Sequence, residues 1–454
     1  MDFDKAVTFR QQFMLVLRLS MPAILAQIIS IAMQYIDAAM LGKIGARASA
    51  SVGLVSTSTW LLGGLCSAAA AGFSVQSAQY IGAKDSRSAR QIFKHALLAS
   101  MLFSILLASI GAATDYSLPV WLGAEEAIRG DARKYFLIYS LSIPFLQLNC
   151  ISGGMLQSTG NMRVPSILNG CMCVLDVIFN LFFIFPSFGV GRISFTGLGM
   201  GVTGAALGTA LAEAVTACAM FFAASVCNKD MRLTGSEKLE YNKKYLERAV
   251  KISVPMAFEH MAMCGAMVMT TRIIAPLGTV AIAANSFAIT AESLCYMPGY
   301  GIASAASVLV GQSIGAKRID LARRFGRMSS VMGVAIMSII GAVMYFLAPY
   351  VFAILTVDPQ VRELGTKVLR IEVFAEPLYA ASIVASGALR GAGDTLIPSL
   401  MNFFSIWLVR IGLALILTPV LGLAGAWIAM CIELCVRGIL LVTRLLFANR
   451  IYES

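Results

Sequence analysis

Two acidic side chains lie in apolar surroundings with no cation near them in the chain. Asp37 sits in Ile36-Asp37-Ala38-Ala39-Met40-Leu41, and the next base, Lys43, falls beyond the apolar run. Asp176 sits in Val174-Leu175-Asp176-Val177-Ile178, with Asn180 one helical turn further on the same face. A carboxylate taken out of water with no cation beside it favours a state that carries a proton or holds a small cation. Such a group takes up H⁺ or Na⁺ when dry and gives it back when water arrives. The chemistry these residues can do is ion exchange. Asp37, Asp176 and Asn180 are therefore the candidate ion-coupling residues, with Na⁺ as the alternative to H⁺ at the two aspartates. No further metal set is expected.

More acids follow, all in apolar stretches: Glu213, Glu259 beside His260, Glu292, Glu372, Glu376 and Glu433. Acids outnumber the bases Arg410 and Arg437 there, so pairing cannot neutralise them all. Glu433 and Arg437 are four apart and can pair on one helix, with Arg410 as a third member. Glu213 is open between a contact joining two helices and a functional group. Glu372 is expected at the outer interface, in contact with water. An unpaired Glu259 or Glu292 would attract an organic cation. Tyr296 follows Glu292 by one turn, and Met256, Met261, Met263, Met267 and Met269 crowd the segment of Glu259. Methionine surfaces adapt to ligands of varied shape, although methionine on a helix also serves as plain packing. Glu259, Glu292, Glu376, Met263 and Tyr296 are the candidate substrate-binding residues.

The elements that must position these groups are membrane helices. Hydrophobic residues make up 58% of the chain and charged ones 13%, about half the share of a soluble domain. A chain this apolar cannot cover a water-facing surface. Twelve stretches reach the roughly 20 residues that cross a hydrocarbon core, the tenth at 367–389. The first begins near Phe13 and is too long for a cleaved signal. Lys and Arg number 35 and give a formal charge of +11, but they lie in short connections between apolar runs, not interleaved with aromatics. That distribution is the positive-inside pattern and not a nucleic-acid surface; it puts both termini and the Asn228–Lys251 connection on the cytoplasmic side. The ten cysteines and two histidines show neither zinc-like spacing nor a disulfide framework, and no phosphate-binding loop is present.

The chain also repeats itself. Gln79-Tyr80-Ile81-Gly82-Ala83-Lys84 returns as Gln312-Ser313-Ile314-Gly315-Ala316-Lys317. At the same offset Gly154–Asn169 returns as Gly387–Asn402, and Ser20 and Pro22 as Ser253 and Pro255. Two six-helix halves follow: an N-terminal lobe 1–227, a cytoplasmic linker 228–251 and a C-terminal lobe 252–454. Six spans per half is an even number, so the repeat is parallel. The expected fold is an all-α membrane protein of twelve transmembrane helices in two pseudo-symmetric lobes. The acids break the symmetry. Asp37 and Asp176 face Thr270 and Val409 across the repeat, while Glu259 and Glu292 face Ala26 and Thr59.

Taken together, these segments resemble the multidrug and toxic compound extrusion (MATE) family over essentially the whole chain. The matching parts are the first-span Asp37 with Leu41-Gly42, the paired Gln-x-Ile-Gly-Ala-Lys blocks, Leu175-Asp176, Gly197–Ala206, Met297-Pro298-Gly299 and Ala388–Thr395. The resemblance implies an ion-driven antiporter whose first-half cation site falls on Asp37 and Asp176. It departs at Met172, where some members have Asn, and at Tyr379, where one branch has an acid; Glu376 lies three residues earlier. The expected function is export of small, cationic amphipathic compounds in exchange for H⁺ or Na⁺ by alternating access, at the plasma (inner) membrane. The alternative is a flippase for lipid-linked or polysaccharide precursors. The expected partners are small-molecule substrates and membrane lipids, with no nucleic acid, obligatory protein partner or cofactor beyond the coupling ion. No nucleophile–base pair points to an enzyme.

Overall fold

The computed structural model describes residues 8–190, 193–233 and 237–447. Residues 1–7 and 448–454, the ends assigned above to the cytoplasmic side, lie outside the described residues, as do 234–236 of the linker. The order is α1 (Phe9–Ile44), α2 (Ala46–Gly82), α3 (Ser86–Thr114), the short α4 (Ser117–Trp121), α5 (Glu126–Ser158) and α6 (Arg163–Ile184). A hairpin of β1 (Ser187–Val190) and β2 (Ile193–Thr196) follows, then α7 (Val202–Phe222), which ends in a π-helical turn at Ala223–Cys227. The remainder is α8 (Lys243–Ile274), α9 (Thr279–Gly315), α10 (Ile319–Leu355), α11 (Pro359–Glu372), α12 (Glu376–Gly391), α13 (Leu396–Phe404), a π-helical segment Ser405–Ile411, α14 (Gly412–Leu421) and α15 (Leu423–Phe447). The small antiparallel hairpin, with Ser187 opposite Thr196, is an addition to the all-helical expectation.

Eleven of the described helices are long and apolar enough to cross a membrane. The tenth span of the sequence reading is instead broken, with a turn of 3₁₀ helix at Val373–Ala375 between α11 and α12. Pro377 explains the break. It has no N–H to give the carbonyl of Val373, and its ring crowds that carbonyl. Counted as one interrupted span, α11–α12 completes the twelve.

The repeated Gln-x-Ile-Gly-Ala-Lys blocks end α2 and α9 in the same way. Lys84 and Lys317 both turn left-handed, at φ 61° and 56°. The next N–H, of Asp85 or Arg318, then closes onto the carbonyl of Tyr80 or Ser313 at 2.9 Å in each case. That is the capping geometry of a helix C-terminus, here with lysine where glycine is usual.

Contacts sort the chain into two compact units. One gathers α1 through Ile28, Gly82–Lys84 and Val254 onward; the other comprises Ile29–Ile81 and Asp85–Ser253. In the second unit Phe73, Ile92, Phe93, Ile151, Met155 and Met220 form a core among α2, α3, α5 and α7. In the first, Ala284, Ala288 and Ala291 of α9 pack against Phe352, Leu369 and Trp427. Alanine rows let helices approach closely where there is no water to drive them together. Leu98, Leu102, Ile105 and Leu106 of α3 stay exposed, as do Ile339, Val343 and Phe346 of α10, an outer surface suited to lipid.

Candidate functional site

The structure brings the three predicted ion-coupling residues together. The amide of Asn180 donates one N–H to Oδ1 of Asp37 at 2.9 Å and the other to Oδ2 of Asp176 at 3.1 Å. Asp176 and Asn180 are buried, Asp37 half-buried. They come from α1 and α6, 143 positions apart for Asp37 and Asn180. The second oxygen of Asp176 and the amide oxygen of Asn180 are buried with no hydrogen-bond partner. The pair of acids is thus bridged by one neutral amide, and no cation stands against either among the described ion pairs. Two carboxylates sharing one neutral donor repel unless a positive charge joins them. Gly208 of α7 makes room for this arrangement, since a Cβ there would run into the Asn180 amide.

One further acid belongs to the same unit. Oε1 of Glu213 accepts from the Asn149 amide at 2.8 Å, joining α7 to α5, so Glu213 is a buried interhelical contact. Asn149 carries no signal of its own in the sequence, because a polar residue on a long helix becomes informative only once its neighbour is known.

In the other unit Glu259 is not unpaired, as the sequence reading had it. Its carboxylate accepts from Asn402 at 2.7 Å, Ser399 at 2.9 Å and Arg390 at 3.2 Å. Most of the pull it would exert on a cation is met by these partners. The reading missed Arg390, Ser399 and Asn402 as a set, yet all three lie inside the repeated block that it singled out. Glu433 is fully buried between Arg410 at 2.7 Å and Arg437 at 3.1 Å, the triad expected from spacing. Ser405 donates to it at 2.8 Å from the start of the π-helical segment that carries Arg410. Arg437 also lies over the Tyr379 ring, 5.3 Å from its centre.

Glu292 is buried on α9. Tyr296, one turn on, packs against Tyr379 with ring centres 5.6 Å apart and against Tyr300 at 6.0 Å. Met263 is half-buried on α8. Glu372 and Glu376 flank the 3₁₀ turn, and both are fully buried. Glu372 is therefore not the wet interfacial residue anticipated: its helix packs against α9, α10 and α15, and Leu369 and Val373 beside it in the chain belong to the buried core. Among the described residues no group of three or more His, Cys, Asp or Glu is placed to hold a metal ion.

The duplicated membrane helices have a counterpart among known proteins. The MatE family model matches the chain twice, over residues 22–182 and again over 255–416. The chain belongs to the MatE family. The two matches begin at Pro22 and Pro255, the positions the internal repeat had already equated. Curated MatE-like relatives include a probable multidrug resistance protein NorM of Thermotoga maritima, 26% identical over 427 residues, covering 93% of this chain and 90% of that one. An uncharacterized transporter YisQ of Bacillus subtilis is 24% identical, over 90% of this chain and 88% of that one. Among solved structures, the outward-facing conformation of a multidrug resistance MATE family transporter of the MOP superfamily superposes with a TM-score of 0.90 at 20% identity, covering 98% and 97% of the two chains. A MOP superfamily transporter from Pyrococcus furiosus gives 0.90 at 19% identity, with the same coverage. MatE membership makes the protein a multi-pass membrane transporter.

Proposed function

We propose that the protein is a multidrug efflux antiporter that exports small cationic amphipathic compounds in exchange for H⁺ at the Asp37–Asn180–Asp176 site. The observation that carries this reading is the pair of acids bridged by one neutral amide, with no cation among the described ion pairs to neutralise it. A single positive charge arriving there removes the repulsion, and its departure restores it. A proton fits a site with so few ligands better than Na⁺, which needs a shell of oxygens. On the substrate side, Glu292 supplies the negative charge that attracts a cation, with Tyr296 one turn on and Glu376 as a neighbouring acid, while Glu259 and the adaptable Met263 are further candidates on α8. The NorM relatives, named as probable multidrug resistance proteins, support the substrate class. Alternating access would expose the site to one face of the inner membrane at a time.

The test is efflux by the purified protein in vesicles, with pH and Na⁺ gradients imposed separately. Export driven by the pH gradient alone is the expected result. Export that responds only to Na⁺ replaces the coupling ion, and response to neither removes antiport. A lipid-precursor flippase would instead leave cationic dyes in place under both gradients.

A further inference from the structure

The two halves repeat at a constant offset as far as Asn169 and Asn402, and beyond that they part by one residue. Gly201 and Gly422, at φ 58° and 62°, lead into α7 and α15 in the same way. A Cβ on Gly204 would strike the Phe183 carbonyl oxygen at 2.4 Å, and one on Gly425 would strike that of Leu417 at 2.3 Å. Phe183 and Leu417 are therefore structural counterparts. So are Ile184 and Thr418, whose backbone nitrogens lie at 3.0 and 2.9 Å from the same two points. The chain takes one residue more from Asn402 to Leu417 than from Asn169 to Phe183. The π-helical segment Ser405–Ile411 absorbs it, whereas α6 runs unbroken through the matching stretch. A π-helical turn holds one residue more than an α-helical one, and such turns gather at functional sites.

The insertion changes which residue answers Asp176. The sequence repeat sets Val409 against it; counted back from the structural anchors, the counterpart is Arg410, next to the end of the π-helical segment. Asn180 and Gly208 correspond likewise to Ala414 and Ala429, both buried. Asp37 corresponds to Thr270, whose hydroxyl donates to the Ala266 carbonyl of its own helix at 2.9 Å. The second half thus has neither acid nor the bridging amide, and it carries a guanidinium where the first half has a candidate ion-coupling carboxyl. A guanidinium keeps its charge at every working pH. Arg410 gives Nε and a terminal nitrogen to one oxygen of Glu433, at 3.0 and 2.7 Å. The other oxygen accepts from Ser405 at 2.8 Å and lies 3.1 Å from Arg437. Glu292 of α9 and Glu372 of α11 also stand within electrostatic reach of Arg410. Trp407 pins the segment by donating to the Ala262 carbonyl of α8 at 3.2 Å.

We propose that Arg410 is a tethered counter-ion: a positive charge fixed in the second half at the place where the first half takes one up and releases it. The cation that Asp176 must draw from solution is, at Arg410, part of the chain. It cannot leave when water arrives, so this place in the second half takes no part in ion exchange. Its consequence for transport rests on the antiport reading above; the replacement of a carboxyl by a guanidinium does not.

The experiment compares full-length wild type with Arg410→Lys, Arg410→Ala and Arg410→Asp in lipid vesicles, reading melting temperature and proton-to-substrate stoichiometry. Arg410→Lys keeps the charge and is expected to keep the wild-type stoichiometry. Arg410→Ala should melt below Arg410→Lys and recover when methylguanidinium is added, a response that wild type lacks, because the place then takes its cation from solution. Arg410→Asp writes the first half's residue beside Glu433 and should add one proton per substrate. Its melting temperature should fall as pH rises, since a folded state that favours the protonated acid loses that contribution once the proton leaves. An Arg410→Ala variant that melts with Arg410→Lys, or that methylguanidinium leaves unchanged, overturns the tethered charge. So does an Arg410→Asp protein that responds to a pH gradient with wild-type stoichiometry, which is the behaviour of a plain structural ion pair. If Arg410→Asp does not fold, the response of Arg410→Ala to methylguanidinium decides. Rescue as expected, with a wild-type protein indifferent to a pH gradient, would overturn the proton-driven reading and leave the tethered charge standing.

Discussion

Asn180 gives its two amide hydrogens to two different carboxylates, and that single geometry defines what each aspartate can do. With both acids ionised the amide holds them in mutual repulsion; with one neutralised it joins a relaxed network. Asp37→Asn removes the exchangeable charge while keeping the size of the group. It should abolish gradient-driven efflux in vesicles and leave the melting temperature close to wild type. Wild-type efflux rates in this variant would remove Asp37 from the mechanism. Glu433 plays the opposite part. It is a charge committed to two arginines, and Glu433→Gln would leave both guanidiniums buried without a counter-ion. Breaking a buried pair in this way costs about 3–5 kcal/mol. Denaturant titration of the purified protein should show that loss, whereas a shift near zero would mean the arginines reach water.

At the scale of elements, the ends of α2 and α9 store strain. Lys84 and Lys317 hold a left-handed backbone that costs a side-chain-bearing residue about 1–2 kcal/mol. Lys84→Gly and Lys317→Gly should each raise stability by about 1 kcal/mol, read as a higher melting temperature, since glycine adopts that conformation freely. The linker is fastened to α3 by a different device. Arg90 clasps Glu237 through two hydrogen bonds, at 2.6 and 2.9 Å, and Asn242 donates its N–H to His95 Nε2 at 3.1 Å. The hydrogen bonds from Arg90 hold the Glu237 carboxyl below its ordinary value. A depressed carboxyl stabilises fully above the ordinary carboxylate range and loses that contribution as pH falls through its folded value. Protection of the Lys238–Asn242 amides, taken relative to their intrinsic exchange, should therefore persist at about pH 5 and fall only at lower pH. In Glu237→Gln it should be weaker at about pH 5 and above, the difference closing as pH falls.

For the whole molecule, the duplication sets the frame and charge sets the orientation. Each MatE match covers one half, so the two halves descend from one bundle and then diverged in their acids. Most Lys and Arg fall on the side assigned to both termini and the linker, and on that distribution we propose a cytoplasmic linker. A single cysteine introduced at Lys244, in a background lacking the native thiols, should resist an impermeant thiol reagent in intact cells and react once they are opened. Ready labelling from outside would invert the topology.

The sequence by itself determined the class and the duplication, and it picked out Asp37, Asp176 and Asn180, which the fold brings together. Apolar length, repeated motifs and unpaired acids are properties of the chain taken in order, and Asp176 with Asn180 needed only the pitch of a helix to share a face. The Glu433–Arg437 pair was legible for the same reason. What only the tertiary structure decided are contacts between distant elements. Asp37 meets Asn180 across 143 positions, and Glu259 finds Arg390 across 131. Nothing local says that one acid acquires a partner and the other does not. Glu372 was misread because a residue near the edge of the 367–389 span looks wet in sequence; packing of α11 against α9, α10 and α15 is what removes the water. The break at Val373–Ala375 was encoded by Pro377 but hidden inside an apolar run. Local rules reach about one helical turn, whereas burial, pairing and charge balance are set by which helices the fold brings together.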